Sequence, residues 1–256
     1  RLQDRWNGGD LVLQVCADDE VTVAHAVRLL TKEARTFVTV RWTQRGFRRA
    51  HGSTEPGAST RNLMGQVDGT SNPDPTRDAP LIWVGDESAA RFGAQPAWLT
   101  GGTAMVVRRI AMQLDTWDEL DRSGREEAVG RRLSDGAPLT GSKESDEPDL
   151  EATNDLGLEV IAPFAHIRRA RSDDDDQRFL RRPYNYDVEP TGDALSDSGL
   201  IFITFQADVD AQFVPIQRRL DELDLLNEWT SPIGSAVFAV LPGCREGEYL
   251  GQSLLG

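Results

Sequence analysis

The order of hydrophobic periods along this chain predicts an α+β fold: two ferredoxin-like halves, of the dimeric α+β barrel type, joined by long functional loops. Three observations point there. A strand–helix–strand pattern occupies residues 10–44, the same outline returns over residues 199–243, and the strand segments are patterned as antiparallel sheets are.

In chain order, "DLVLQVCAD" (10–18) reads as a strand. Residues 20–34 put Val23, Ala26, Val27, Leu30 and Ala34 on one helical face. "TFVTVRWTQ" (36–44) alternates and is rich in β-formers. Residues 50–80 are dense in Gly, Pro, Ser, Asn and Asp and form a long loop, a kind that in compact domains is functional or disordered. "PLIWVG" (80–85) and "GTAMVVRRIAMQL" (102–114) read as strands, with short polar helices over 115–133 and an acidic, aperiodic loop over 137–160. "GLIFITFQAD" (199–208) is a strand. Residues 211–223 form a helix with Phe213, Ile216, Leu220 and Leu223 on one face and Pro215 near its start, and "GSAVFAVLPG" (234–243) closes the pattern. The two halves are too dissimilar to be a sequence repeat.

The 256 residues are ample for a real core. With 28 basic and 42 acidic residues the net charge is −14, which disfavours nucleic acid and anionic membranes as partners. No apolar run approaches the roughly 20 residues of a membrane span. The chain starts at Arg1 with no visible signal peptide, as expected if processing or a boundary removed the true start. Two cysteines are too few for a disulfide framework or a thiolate cluster. Cys16, in an apolar run, reads as a small buried hydrophobe; a bridge to Cys244 stays open.

There are three histidines. His25 beside a helical apolar face and His51 at the start of a polar loop read as boundary and solvated residues. His166 differs: it follows Pro163 and Phe164 and precedes Arg168, Arg169, Arg171 and Arg178. One histidine without a cysteine cluster cannot build an ordinary zinc site, which wants three or four protein ligands. It can bind haem, whose porphyrin supplies four nitrogens, while arginines suit the propionates. Peroxide chemistry then needs a proton carrier and a charge stabiliser on the opposite face. Asp68, between glycines in "GQVDGTSNP", can be the first, although the residues alone favour an Asx-turn there. An arginine of "FLRRPYNY" can be the second, or an edge charge on a surface strand. "DDDD" (173–176) lacks the alternation and glycine of a calcium loop and reads as solvated. The "GFRR" and "RRPYNY" patches are too small to argue RNA binding in so acidic a chain.

Taken together, these stretches resemble a family. "NLMGQVDGTSNP" is similar to the glycine–x–x–aspartate–glycine signature of the dye-decolorizing peroxidases, and "HIRRA" with "FLRRPYNY" to that family's proximal histidine segment and distal arginine strand. "GGDLVLQVCADD", "FVPIQRRL" and "GSAVFAVLPG" resemble the subgroup exported by the twin-arginine route. The resemblance implies residues 1–135 as a first half, incomplete at its start, carrying the distal aspartate loop, and residues 136–256 as a second half carrying the axial histidine and distal arginine. It makes His166 the ligand of a haem b iron, Asp68 the distal carboxylate and Arg181 the distal arginine, with Arg182 competing by one position. Gly69, Thr70 and Ser71 would lie against the haem, Arg168 would meet a propionate, and Phe202 and Phe205 would line the pocket or simply fill core. Asp224, Asn227 and Glu228 are the candidates to hold the other nitrogen of His166. Members of that family carry a segment before "GGDLVLQVCADD", so the resemblance implies either a boundary that leaves it out or a separate N-terminal segment of the same protein that supplies it.

The implied activity is a haem peroxidase taking hydrogen peroxide and organic electron donors. Bulky donors would pass electrons through Trp83, Trp98, Trp117, Trp229, Tyr184 or Tyr186, most of which also suit a core. The reference pKa of aspartate, about 3.9, implies an acidic optimum. The implied location is extracytoplasmic. The alternatives are an iron-releasing haem-handling protein, a non-enzymatic haem-binding module, and a ferredoxin-like interaction domain with no cofactor.

Overall fold

The computed structural model describes residues 1–256 except 51, 54, 56, 57, 69 and 70; of Asp68 it describes the backbone. His51, read above as solvated, thus lies outside the described residues. The elements in chain order are α1 (Glu20–Ala34), β1 (Thr60–Arg61), β2 (Val67–Asp68), α2 (Ala79–Ile82), α3 (Asp86–Phe92), β3 (Thr103–Met112), α4 (Leu114–Asp118), α5 (Arg122–Val129), α6 (His166–Ala170), β4 (Leu180–Arg181), β5 (Tyr184–Val188), β6 (Asp197–Gln206), α7 (Val214–Leu223), β7 (Thr230–Val240) and α8 (Gln252–Leu255). A π-helical turn, Val209–Phe213, leads into α7.

β3, β6 and β7 are the long strands, rich in Val, Ile and Phe, and they form the middle of a five-stranded antiparallel sheet. β3 lies between β6 and β7, so a strand from the first half of the sequence is flanked by two from the second. β4 and β5 pair with the other side of β6. β3 is bulged against β7 between Arg109 and Ile110, where Pro232 sits opposite and can donate no ladder hydrogen bond.

Side chains alternate across the sheet, and the register sorts them. Met105 opposes Phe205 and Phe238, and Val107 opposes Ile203 and Ala236. These pack on one face with Val12, Trp42 and Tyr184. Ile110, Met112, Leu200 and Phe202 point the other way, into a cluster with Trp117, Ile161, Ala165 and Ile167. That second face carries the α6 helix and hence His166.

The α+β class, α1, β3, β6, β7 and the helices over 114–129 and 214–223 match the sequence reading. Residues 10–18 and 36–44 do not form strands. Their alternation is real, since Val12 and Trp42 pack inward, but Leu11, Leu13 and Phe37 are exposed and no ladder partner lies alongside among the described residues. The expected strand at 80–85 begins instead as α2, because Pro80 suits a first helical turn and a short apolar run fits either structure. Asp19 caps α1 by accepting the Thr22 N–H at 2.9 Å, yet α1 buries none of its residues. Cys16 is exposed rather than buried; both cysteines are free thiols, and the Cys16 Sγ lies 3.3 Å from the Tyr184 hydroxyl.

Candidate functional site

His166 opens α6, and its ring meets Asp224 at the end of α7: Nδ1 lies 2.6 Å from Oδ2. A carboxylate accepts only, so Nδ1 carries a proton. Asp224 is 6% exposed, and its other oxygen accepts the Leu226 N–H at 3.0 Å. The Leu225 N–H donates to Phe164 O at 3.0 Å, tying the segment before His166 to the turn after α7. Arg169 donates to the Arg219 carbonyl and to Glu222, clamping α6 on α7. Of the three candidate partners for His166, Asp224 is therefore the one in contact. Asn227 instead donates to Leu220 O, and Glu228 is exposed.

Arg168 was expected at a propionate. Its guanidinium is turned to the carbonyls of Ile161 and Leu150 and to Glu159, and so it pins the loop that precedes His166. The cations that do gather are Arg131, Arg171 and Arg181. Burial, and then the like charges of Arg171 and Arg181, hold the Arg131 pKa below its ordinary value. Arg131 donates to the carbonyls of Gly136 and Glu144, and Arg171 pairs with Glu147.

Asp68 stands at the end of the β1–β2 hairpin, its backbone opposite Thr60. The turn is coded locally. Asn62 Oδ1 accepts from the N–H groups of Met64 and Gln66, and Gly65 takes the positive φ of +82°. Arg61 donates to Gly65 O, Leu133 O and Ser134 O, and Asn185 donates to Arg61 O. Gly136 admits Val67: a Cβ there would stand 2.8 Å from Val67 Cβ. Ser71 is exposed; Gly69 and Thr70 lie outside the described residues.

The arginine pair is split by the strand period. Arg181 opposes Thr204 and shares the sheet face of Phe202 and α6. Arg182 points to the other face, where its Nε donates to the Tyr184 hydroxyl at 2.9 Å. The same alternation separates Phe202, packed with Ala165 and Ile167, from Phe205, packed with Met105 and Phe238. Asn72 joins the two parts of the site. Its Oδ1 accepts from Arg181 N at 2.9 Å and its Nδ2 donates to Arg181 O at 2.8 Å. Neither Asn72 nor Arg131 was singled out from sequence; an asparagine held between a Gly-Thr-Ser run and a proline was the available signal. Among the electron-path candidates, Trp117 is fully buried 5.2 Å from Trp229 and Tyr186 is fully buried, while Trp83 is exposed.

Among the described residues no group of three or more His, Cys, Asp and Glu side chains could hold a metal ion. A metal taken by His166 must then bring its other ligands with it, and an iron porphyrin does so. One lone imidazole with an oriented second nitrogen, set near a cluster of arginines, fits haem.

Family models agree. The model described as Dyp-type peroxidase, C-terminal, matches residues 59–245, and the one described as Dyp-type peroxidase, N-terminal, matches residues 1–48. The chain belongs to the Dyp-type peroxidase family. It is 44% identical over 260 residues to a dye-decolorizing peroxidase of Thermobifida fusca, covering 99% of this chain and 59% of that relative. A deferrochelatase of Shigella flexneri is 35% identical over 255 residues, covering 96% of this chain and 59% of the relative. The chain thus spans about three fifths of the length of these curated Dyp-type relatives. The crystal structure of a DyP-type peroxidase from Cellulomonas bogoriensis superposes with a TM-score of 0.94 at 62% identity, over 100% of this chain and 69% of that one.

Proposed function

We propose that the protein is a haem peroxidase that reduces hydrogen peroxide and oxidises dyes or phenolic donors by one-electron steps. The observation that carries this reading is the His166–Asp224 pair at 2.6 Å, on the sheet face that also bears Arg181. Bound haem would supply an iron for peroxide and the electrons that break its O–O bond. His166 would hold the iron, with Asp224 keeping the Nδ1 proton and raising the basicity of the ring. Asp68 would carry a proton from one peroxide oxygen to the other, so that water could leave. Arg181 stabilises the negative charge that develops as the bond parts. Arg131 and Arg171, together with Arg168, would supply positive charge toward the propionates.

The same reading takes the haem as b-type and the setting as extracytoplasmic, reached by twin-arginine export; the motif resemblance supports both. A further N-terminal segment of the protein packing near α1 is supported by the absence of any buried residue in that helix.

The test is the absorption spectrum of the purified protein titrated with haem, then treated with one equivalent of peroxide. A Soret band that shifts on peroxide is expected, and its axial-ligand character should be lost in His166→Ala. If His166→Ala leaves coordination unchanged, the reading is wrong. The relationship to a deferrochelatase favours one second reading, release of iron from haem. Free porphyrin appearing in place of dye turnover would select it.

A further inference from the structure

β4 is an edge: two residues long, paired only with β6. In an antiparallel ladder the N–H and C=O of one residue point to the partner strand and those of the next point away. The Arg182 N–H points inward, to Ile203 O at 2.9 Å. Arg181 therefore turns its N–H and C=O outward, where no strand of the described residues lies alongside β4, and backbone groups left unpaired in a half-buried place cost stability.

Asn72 fills the place of the missing strand. A primary amide presents one acceptor and one donor side by side, as a neighbouring backbone would, and both meet Arg181, at 2.9 Å and 2.8 Å. The orientation is forced, since a flipped amide would set like against like. Asp at this position keeps the acceptor but opposes a carboxylate oxygen to the Arg181 carbonyl. Ser or Thr can make one of the two bonds, and Gln carries a methylene too many. Asn72 is itself stiffened by the fully buried Pro73 that follows it, which confines the preceding residue to extended backbone. It lies four residues after Asp68 in sequence, and the bonds it makes span 109 residues.

We propose that Asn72 is a positioning residue: it locks the backbone of Arg181 to the loop that carries Asp68, so that carboxylate and guanidinium are set by one shared joint rather than by two independent ones. This rests on the haem peroxidase reading of the site. Asn72 acts through Arg181 and does not itself touch peroxide.

The experiment is fluoride binding to the ferric, haem-loaded protein, because a bound anion reports a hydrogen-bond donor held over the iron without requiring turnover. Asn72→Ala should weaken fluoride at least 10-fold, and Arg181→Ala by a similar factor. The double variant should be no weaker than Arg181→Ala alone, which is the non-additivity expected of two residues in series. Asn72→Asp should match Asn72→Ala at neutral pH. Relative to wild type it should recover as acid restores an O–H donor to the side chain, a pH signature that general loosening of the fold would not give. Wild-type fluoride affinity in Asn72→Ala, or fully additive losses in the double variant, overturns the proposal. Should Asn72→Ala fail to fold, Asn72→Asp and amide exchange at Arg181 carry the test: exchange at least 10-fold faster supports the joint, and unchanged exchange overturns it. A protein that takes up no haem sinks the underlying function instead, so the two failures are distinguishable.

Discussion

On one face of the sheet Arg109, 5% exposed, lies between two rings, 4.5 Å from the centre of Trp6 and 3.9 Å from that of Tyr186. Its Nε donates to Gln44 at 2.7 Å and its Nη2 to Asp197 at 3.2 Å. On the opposite face the Arg181 backbone is held by Asn72 through both its N–H and its C=O, while the next residue, Arg182, bonds β6. The first arginine is placed by its guanidinium, which stacks and donates until it serves as cement for Trp6 and β5. The second has its main chain anchored at both the N–H and the C=O. In the proposed peroxidase site this matters, because a donor positioned before charge develops needs no reorganisation in the transition state.

The largest effect that bears on this contrast concerns the adjacent pair. Arg181→Ala should lower the second-order rate of peroxide reduction by about 10²–10³-fold, the usual loss for one preorganised donor. Arg182→Ala, which removes a bond to Tyr184 on the other face, should change it by less than about 3-fold, a shift of well under 1 kcal/mol. Stopped-flow kinetics of the haem-loaded variants decides it, and equal losses would erase the distinction between the faces. Next in size is Asp224→Ala. It removes the acceptor at 2.6 Å from Nδ1 and should weaken haem affinity by about 10–100-fold, read by absorption titration, with Asn at that position recovering part of the loss.

The two faces of the sheet can be read in part from the sequence, for physical reasons that also say where reading stops. β3, β6 and β7 carry dense β-branched and aromatic runs, so strand period and burial agree, and the α+β class follows. His166 stood out because it follows Pro163 and Phe164 in an aperiodic segment with arginines close behind, and one imidazole suffices for haem. Asp224 was narrowed to three residues but not chosen, since the choice depends on how the turn after α7 docks on Phe164. Phe202 and Phe205 are three apart, an odd spacing that places them on opposite faces, so their separation was legible from strand period alone. That the Arg168 guanidinium meets the carbonyls of Ile161 and Leu150 was not legible, because those contacts depend on how the preceding loop folds back on α6. Asn72 carried a local signal, its place between Gly-Thr-Ser and Pro73, but its role needed tertiary structure, because its partner is an edge strand that local patterning does not reveal as an edge.

The smallest effect tests the cementing face. Tyr186 is fully buried, its hydroxyl has no hydrogen-bond partner among the described residues, and burial pushes its pKa from 10.0 up to about 12. The unfolded chain therefore ionises this phenol first. Its contribution to stability is intact below about pH 10 and is lost as pH rises from there toward about 12, because the unfolded state gives up a proton that the folded state still holds. Urea unfolding should accordingly show about 1 kcal/mol less stability at pH 11 than at pH 9 from this group alone. Tyr186→Phe keeps the ring against Arg109 and removes the titrating hydroxyl, so it should flatten that decline while leaving haem binding and peroxide kinetics as they are. A variant that instead loses peroxide reactivity would mean that the ring stacked on Arg109 reports to the opposite face, and that the sheet does not separate cement from chemistry.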